Sequence, residues 1–170
     1  PIYFGIVYGI SEFSLAQDIG VSRREAKQYI DNYLAHYAGV RAYMRDIVER
    51  ARRDGYVSTL YGRRRALPEL KSSNYNTRSF GERVALNMPI QGTAADIMKL
   101  AMVRVHARLR ADGLKAQLIL QVHDELIAEC PEGEAKRVAE ILTAEMEGAA
   151  KLSVPLEAAA AIGKSWYEAK

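Results

Sequence analysis

One cysteine, Cys130, and three histidines are all that 170 residues offer of the side chains that cross-link secreted chains or cage zinc. A lone thiol forms no internal disulfide, and with three scattered histidines it lacks zinc-site spacing, so a reducing, intracellular setting is expected. No apolar run approaches the ~20 residues that span a bilayer. The opening segment Pro1-Ile2-Tyr3-Phe4-Gly5 has no initiating methionine, basic segment or cleavage site of a secretory signal, and reads as a start inside a longer sequence. No repeat, low-complexity tract or linker is present. With 49% hydrophobic and 26% charged residues the composition is ordinary for a globular chain, which argues against disorder, collagen-like repeats and coiled coil. The length suits one α+β unit.

The net charge of +3 conceals an uneven distribution. Residues 41–85 hold 11 Lys and Arg against 5 Asp and Glu, and Arg50, Arg52, Arg53, Arg63, Arg64, Arg65 and Arg78 lie among them. The planar guanidinium bonds two phosphate oxygens at once, which favours a nucleic-acid partner. A solvated helix face followed by a turn fits the same charges equally well.

Helices come first along the chain. Ser22-Arg23-Arg24-Glu25 is a capping box, and Ala26, Tyr29, Ile30, Tyr33, Leu34 and Tyr37 follow at helical spacing, which predicts a buried, tyrosine-rich stripe. Val40, Tyr43, Met44, Ile47, Val48 and Ala51 continue the pattern to a stop at Gly55. Residues 56–68 read as a hairpin with arginines at its tip, and Lys71 to Thr77 as a polar loop. A helical stretch from about Arg78 to Ala111 should break near Pro89 and Gly92, since proline has no N–H for the helix ladder. Ala116 to Val122 and Glu125 to Glu129 read as paired strands about a His123-Asp124 turn, Pro131 to Glu147 as a helix, and Leu156 to Ile162 as a last strand.

Three constellations carry chemistry. In Phe4-Gly5-Ile6-Val7-Tyr8-Gly9 a helix would set Phe4 and Tyr8 on one face beside glycines, a flat surface able to stack on a base pair; an aromatic pair at this spacing is also common in cores. Arg83, Asn87 and Gln91 form a polar line at i, i+4, i+8 among apolar residues, suited to a nucleic-acid groove or backbone, or to open solvent. The small residues of Gln91-Gly92-Thr93-Ala94-Ala95-Asp96 favour the groove, because they let another chain approach. Gln121-Val122-His123-Asp124-Glu125 sets two carboxylates at a turn after an apolar strand, which suits Mg²⁺, although aspartate is also an ordinary turn residue.

These motifs together resemble the C-terminal part of the family A DNA polymerases of the bacterial DNA polymerase I type, over essentially the whole chain. Phe4 to Gly9 is similar to the end of the nucleotide-binding helix of the fingers. Thr59-Leu60-Tyr61-Gly62-Arg63-Arg64-Arg65, the segment Asn87 to Asp96, and Gln121 to Glu125 fall in the family's order, and Gly163-Lys164-Ser165-Trp166 matches its closing Gly-x-x-Trp.

The resemblance implies an α+β fold, mostly helical with a small antiparallel palm sheet, with fingers-side helices and the basic hairpin in residues 1–80 and the palm in 81–170. It implies template-directed DNA synthesis with primer–template DNA, a deoxynucleoside triphosphate and the remainder of a polymerase chain as partners, and no membrane. A cytoplasmic, nucleoid-associated setting is expected, with an organellar or phage origin left open. Asp124 would hold both catalytic Mg²⁺ ions, with Glu125 beside it. His123 would lie near the primer terminus. Phe4 would pack against the incoming sugar, and Tyr8 would stack at the templating position. Arg83, Asn87 and Gln91 would contact primer–template, Gln91 from the minor groove, where acceptors barely distinguish A·T from T·A. Arg63, Arg64 and Arg65 would hold a phosphate backbone.

The family's other palm aspartate, the triphosphate-gripping lysine and an arginine one turn before it would all precede Pro1, so the isolated chain is expected to lack efficient polymerase activity. Tyr3 stands where many relatives have asparagine. Ala158-Ala159-Ala160-Ala161 departs from the usual last strand. Outside the resemblance, a non-catalytic nucleic-acid-binding module or a Mg²⁺-dependent nuclease using Asp124 and Glu125 would carry some of the same features.

Overall fold

The serine at position 22 does what its spacing predicts. Its hydroxyl accepts the Glu25 N–H, and the Glu25 carboxylate accepts the Ser22 N–H, closing a capping box at the head of a helix. The computed structural model describes residues 2–169, with the side chains of Ile2 and Phe4 outside the described set. Two compact units divide the chain, Pro1–Thr93 and Ala94–Lys170. The boundary falls inside a helix, so no linker composition marks it.

The first unit contains α1 (Ile2–Val7), α2 (Glu12–Ile19), α3 (Arg23–His36) and α4 (Ala38–Asp54). A hairpin of β1 (Tyr56–Ser58) and β2 (Arg64–Ala66) follows, then a 3₁₀ turn over Pro68–Lys71. Gly55 ends α4 at φ 79°, a left-handed conformation that glycine adopts without a Cβ penalty. The core joins Ala51 of α4, Val57 of β1, and Leu67 and Leu70 of the following turn to Ala85 of the long helix α5 (Tyr75–Ala111).

The expected tyrosine-rich core stripe is not buried. Ala26 is fully enclosed, but Tyr29, Tyr37 and Tyr43 are 50%, 48% and 39% exposed. Helical spacing places residues on one face, yet among the described residues only the small Ala26 of α3 is enclosed. Tyr37 instead packs tilted against Tyr33 at 4.8 Å between centroids, and Tyr33 against Tyr3 at 5.5 Å.

The predicted interruption of α5 at Pro89 and Gly92 is also absent, and the helix runs through both. Proline removes one donor from the ladder. Buried Ala85 and Leu86 before it hold the helix to its neighbours, and the Thr93 hydroxyl donates to the Pro89 carbonyl. The start of α5 lies at Tyr75, three residues before the expected Arg78, because the Asn74 carboxamide accepts the N–H groups of Asn76 and Thr77 as an N-cap.

The second unit contains the rest of α5, the hairpin β3 (Gln117–Val122) and β4 (Glu125–Glu129), and α6 (Ala135–Glu147). The strands pair antiparallel with Val122 opposite Glu125 and an irregularity at Leu118/Leu120. The end of α5, the hairpin and α6 share a core of Val105, Leu109, Ala116, Val138 and Ile141, and a smaller cluster joins Met98, Ala101 and Ala149. Asp112 ties α5 to α6, accepting from Arg137 at 2.7 Å and from Arg108 at 2.8 Å. These guanidinium groups, Arg137 foremost, hold its carboxyl below the usual aspartate value.

Pro131 precedes a 3₁₀ turn over Glu132–Glu134, and α6 begins only at Ala135. The expected last strand over 156–162 does not form. Four alanines favour a strand weakly, and β3 and β4 pair only with each other among the described residues. Among the described residues no helix is long and apolar enough to cross a membrane.

Candidate nucleic-acid interface and carboxylate turn

In the first unit α5 is the spine of a candidate interface. Arg83, Asn87 and Gln91 stand on it at successive turns, spanning ~12 Å at 1.5 Å per residue. Arg83 and Gln91 are exposed, and Asn87 is half-buried. The Arg83 guanidinium donates to the Ser79 hydroxyl at 3.2 Å. The Asn87 Oδ1 is buried with no hydrogen-bond partner among the described residues, a position worth about 1–3 kcal/mol to satisfy.

The turn after α1 meets this helix near Arg83. Tyr8 stands in that turn, just beyond the helical end at Val7, and is half-buried. Gly9 has φ 78°, and a Cβ there would stand 3.0 Å from Leu86 Cδ1 and 3.7 Å from Arg83 Cγ. Glycine is therefore what lets the Tyr8 turn lie against α5. The backbone of Phe4 belongs to α1, and its side chain, expected to touch a nucleotide sugar, lies outside the described residues.

The arginine hairpin meets α5 farther along. Thr59 is 5% exposed, exchanges backbone bonds with Arg63 and Gly62, and its hydroxyl accepts the Arg63 N–H, which closes the loop around it. Gly62 turns the loop at φ 80°. Leu60 N–H donates to the Thr93 hydroxyl at 3.0 Å, and Thr59 Cγ2 lies 2.7 Å from where a Cβ on Gly92 would be. The small residues after Gln91 do admit another strand of chain, and that strand is this hairpin. Arg63, Arg64 and Arg65 are exposed, and the Arg64 guanidinium sits 4.7 Å above the Tyr56 ring. Sequence reading overlooked Thr93 as a contact of this loop; a hydroxyl one turn after a helical proline was the available signal.

The second unit carries the carboxylate turn. His123 and Asp124 form a two-residue loop between paired Val122 and Glu125, with His123 at φ 52°. A non-glycine residue in that region costs about 1–3 kcal/mol and persists where neighbours enforce it. Here the Gln121 side-chain amide donates to the His123 carbonyl at 2.7 Å. His123, Asp124 and Glu125 are exposed. Neither carboxylate makes a side-chain hydrogen bond or ion pair among the described residues, so both are available as hard oxygen ligands. No group of three or more His, Cys, Asp or Glu able to hold a metal ion is gathered among the described residues. Asp124 and Glu125 thus suit part of a Mg²⁺ ligand set, completed by waters, phosphates or other carboxylates.

The family model for DNA polymerase family A matches residues 1–168. The chain is 53% identical over 169 residues to DNA polymerase I of Bacillus subtilis (strain 168), and 50% identical over 169 residues to DNA polymerase I of Bacillus caldotenax. Each alignment covers 99% of this chain and 19% of the relative, so the chain spans about a fifth of these curated relatives. Among solved structures, the POL domain of Pol1 from M. smegmatis, in complex with DNA primer-template and dNTP, superposes with a TM-score of 0.93 at 47% identity. That match covers 98% of this chain and 30% of the other.

Proposed function

The chain belongs to DNA polymerase family A, and on that premise we propose that it supplies part of the active site for template-directed DNA synthesis. The reaction is nucleotidyl transfer. The primer 3′-oxygen bonds to the α-phosphorus of a deoxynucleoside triphosphate, the bond to the β,γ-phosphates breaks, and pyrophosphate leaves. The division of labour follows the two halves of the sequence, residues 1–80 on the fingers side and 81–170 in the palm. A cytoplasmic site of action with the chromosome accords with the bacterial relatives.

The observation that carries this reading is the strained, exposed His123-Asp124 turn, whose neighbouring carboxylates have no protein partner among the described residues. Asp124 would be a ligand for the Mg²⁺ ions, with Glu125 as its auxiliary. When bound, such ions lower the pKa of a hydroxyl nucleophile and neutralise a phosphate leaving group. The chain's own groups orient the substrates. His123 lies at the primer terminus, held by Gln121. Tyr8 stacks at the templating position, and Phe4 packs on the incoming sugar. Arg83, Asn87 and Gln91 follow the primer–template near the insertion site, Gln91 in the minor groove, where readout is of shape more than sequence. Arg63, Arg64 and Arg65 hold a phosphate backbone.

Two ions need carboxylates from more than one segment, and no group of three candidate ligands is gathered among the described residues. The 170 residues alone are therefore expected to bind primer–template without extending it. Extension assays with Mg²⁺ on the intact protein and on these residues alone test the reading. Efficient extension by the 170 residues overturns the shared site, and binding without extension by the intact protein favours a non-catalytic module.

A further inference from the structure

Besides the core that Val57 shares with Ala85, the hairpin reaches α5 beside its polar line. The Thr93 hydroxyl accepts the Leu60 N–H at 3.0 Å while donating to the Pro89 carbonyl. Beside it, Gly92 leaves only 2.7 Å between Thr59 Cγ2 and the place of a Cβ. Thr59 and Leu60 are the root of the loop that carries Arg63, Arg64 and Arg65, and Gln91 is the residue before Gly92. All of these residues lie in the first unit.

We propose that Thr93 is a positioning residue for DNA binding, which fixes the arginine loop to α5 so that its phosphate contacts and the groove contacts of Gln91 engage one duplex in a single register. The proposal rests on the DNA-binding reading above. A Leu60 N–H at an exposed residue readily finds water, so the Thr93 bond is not needed to satisfy it in the free protein. What the bond supplies is location. Without it the loop keeps its internal closure around Thr59 but loses its hydroxyl tether, and its arginines meet phosphates at an entropic disadvantage.

The test measures primer–template affinity of the intact protein against salt concentration, for the unchanged protein, Thr93→Val and Thr93→Ser. Each phosphate contact adds roughly 0.9 to the slope of log affinity on log salt. Thr93→Val is expected to flatten the slope by about 1–2 and to weaken binding about tenfold near 0.1 M salt, with the melting temperature nearly unchanged. Thr93→Ser, which keeps the hydroxyl, restores both. An unchanged slope in Thr93→Val, or no restoration by serine, overturns the proposal. A flat salt dependence in the unchanged protein overturns the DNA-binding reading itself. If Thr93→Val fails to fold, Gly92→Ala probes the same junction from the Thr59 side: a flattened slope supports the proposal and an unchanged one overturns it.

Discussion

Leu86 Cδ1 lies 3.0 Å from the point that a Cβ on Gly9 would occupy, so a bare backbone position in the turn after α1 is pressed against the buried side of α5. Gly9→Ala meets two obstacles, the φ of 78° and the leucine methyl. Destabilisation of about 1–3 kcal/mol is expected, read from urea unfolding. Adding Leu86→Ala should remove the steric share and leave the backbone share, so the double variant is less unstable than the sum of the singles.

The proposed binding role of Asn87 predicts a cost in stability. Its buried Oδ1 has no partner among the described residues, and Asn87→Leu replaces it with an apolar group of similar size. The folded protein should gain up to about 1 kcal/mol, measured by thermal unfolding. Primer–template binding by the same variant should weaken severalfold, since the proposed DNA contact of the amide is gone. Loss of stability without loss of affinity would mean that the amide serves the fold.

Asp112 gives the second unit an acid-sensitive tie. Arg137 first, and Arg108 next, hold its carboxyl below the ordinary value of 3.8. A depressed folded-state pKa stabilises the protein above the unfolded value, and that contribution disappears as pH falls through the folded one. The stability difference between the unchanged protein and Asp112→Asn should therefore be full at pH 7 and shrink below about pH 4. Urea midpoints at pH 7, 4 and 3 measure it, and a difference that grows on acidification contradicts the assignment.

Features fixed by neighbours in sequence were legible before the structure. The Ser22–Glu25 box, the 56–68 hairpin and the Val122–Glu125 turn depend on contacts a few residues apart. What failed depended on distant chain. Tyr29 and Tyr37 have helical spacing, but spacing does not say whether anything covers the face they share. Pro89 signals a lost donor, while the packing of Ala85 that holds the helix across it comes from tertiary structure. Residues 156–162 add no strand to the two-stranded β3–β4 sheet, and their four alanines favour one only weakly. For the candidate site, residue types and order were readable, whereas the junction of Leu60 with Thr93 spans 33 residues and left little trace in the sequence.

The most direct measurement is single-nucleotide primer extension by the intact protein with Asp124→Asn, at saturating Mg²⁺ and with primer–template affinity measured alongside. The substitution keeps the size of the side chain on its exposed turn and removes only its charge. Extension should fall by at least about a thousandfold, some 4 kcal/mol of barrier, while affinity changes less than about threefold. Extension within tenfold of the unchanged protein would contradict Asp124 as the metal-holding carboxylate of the site.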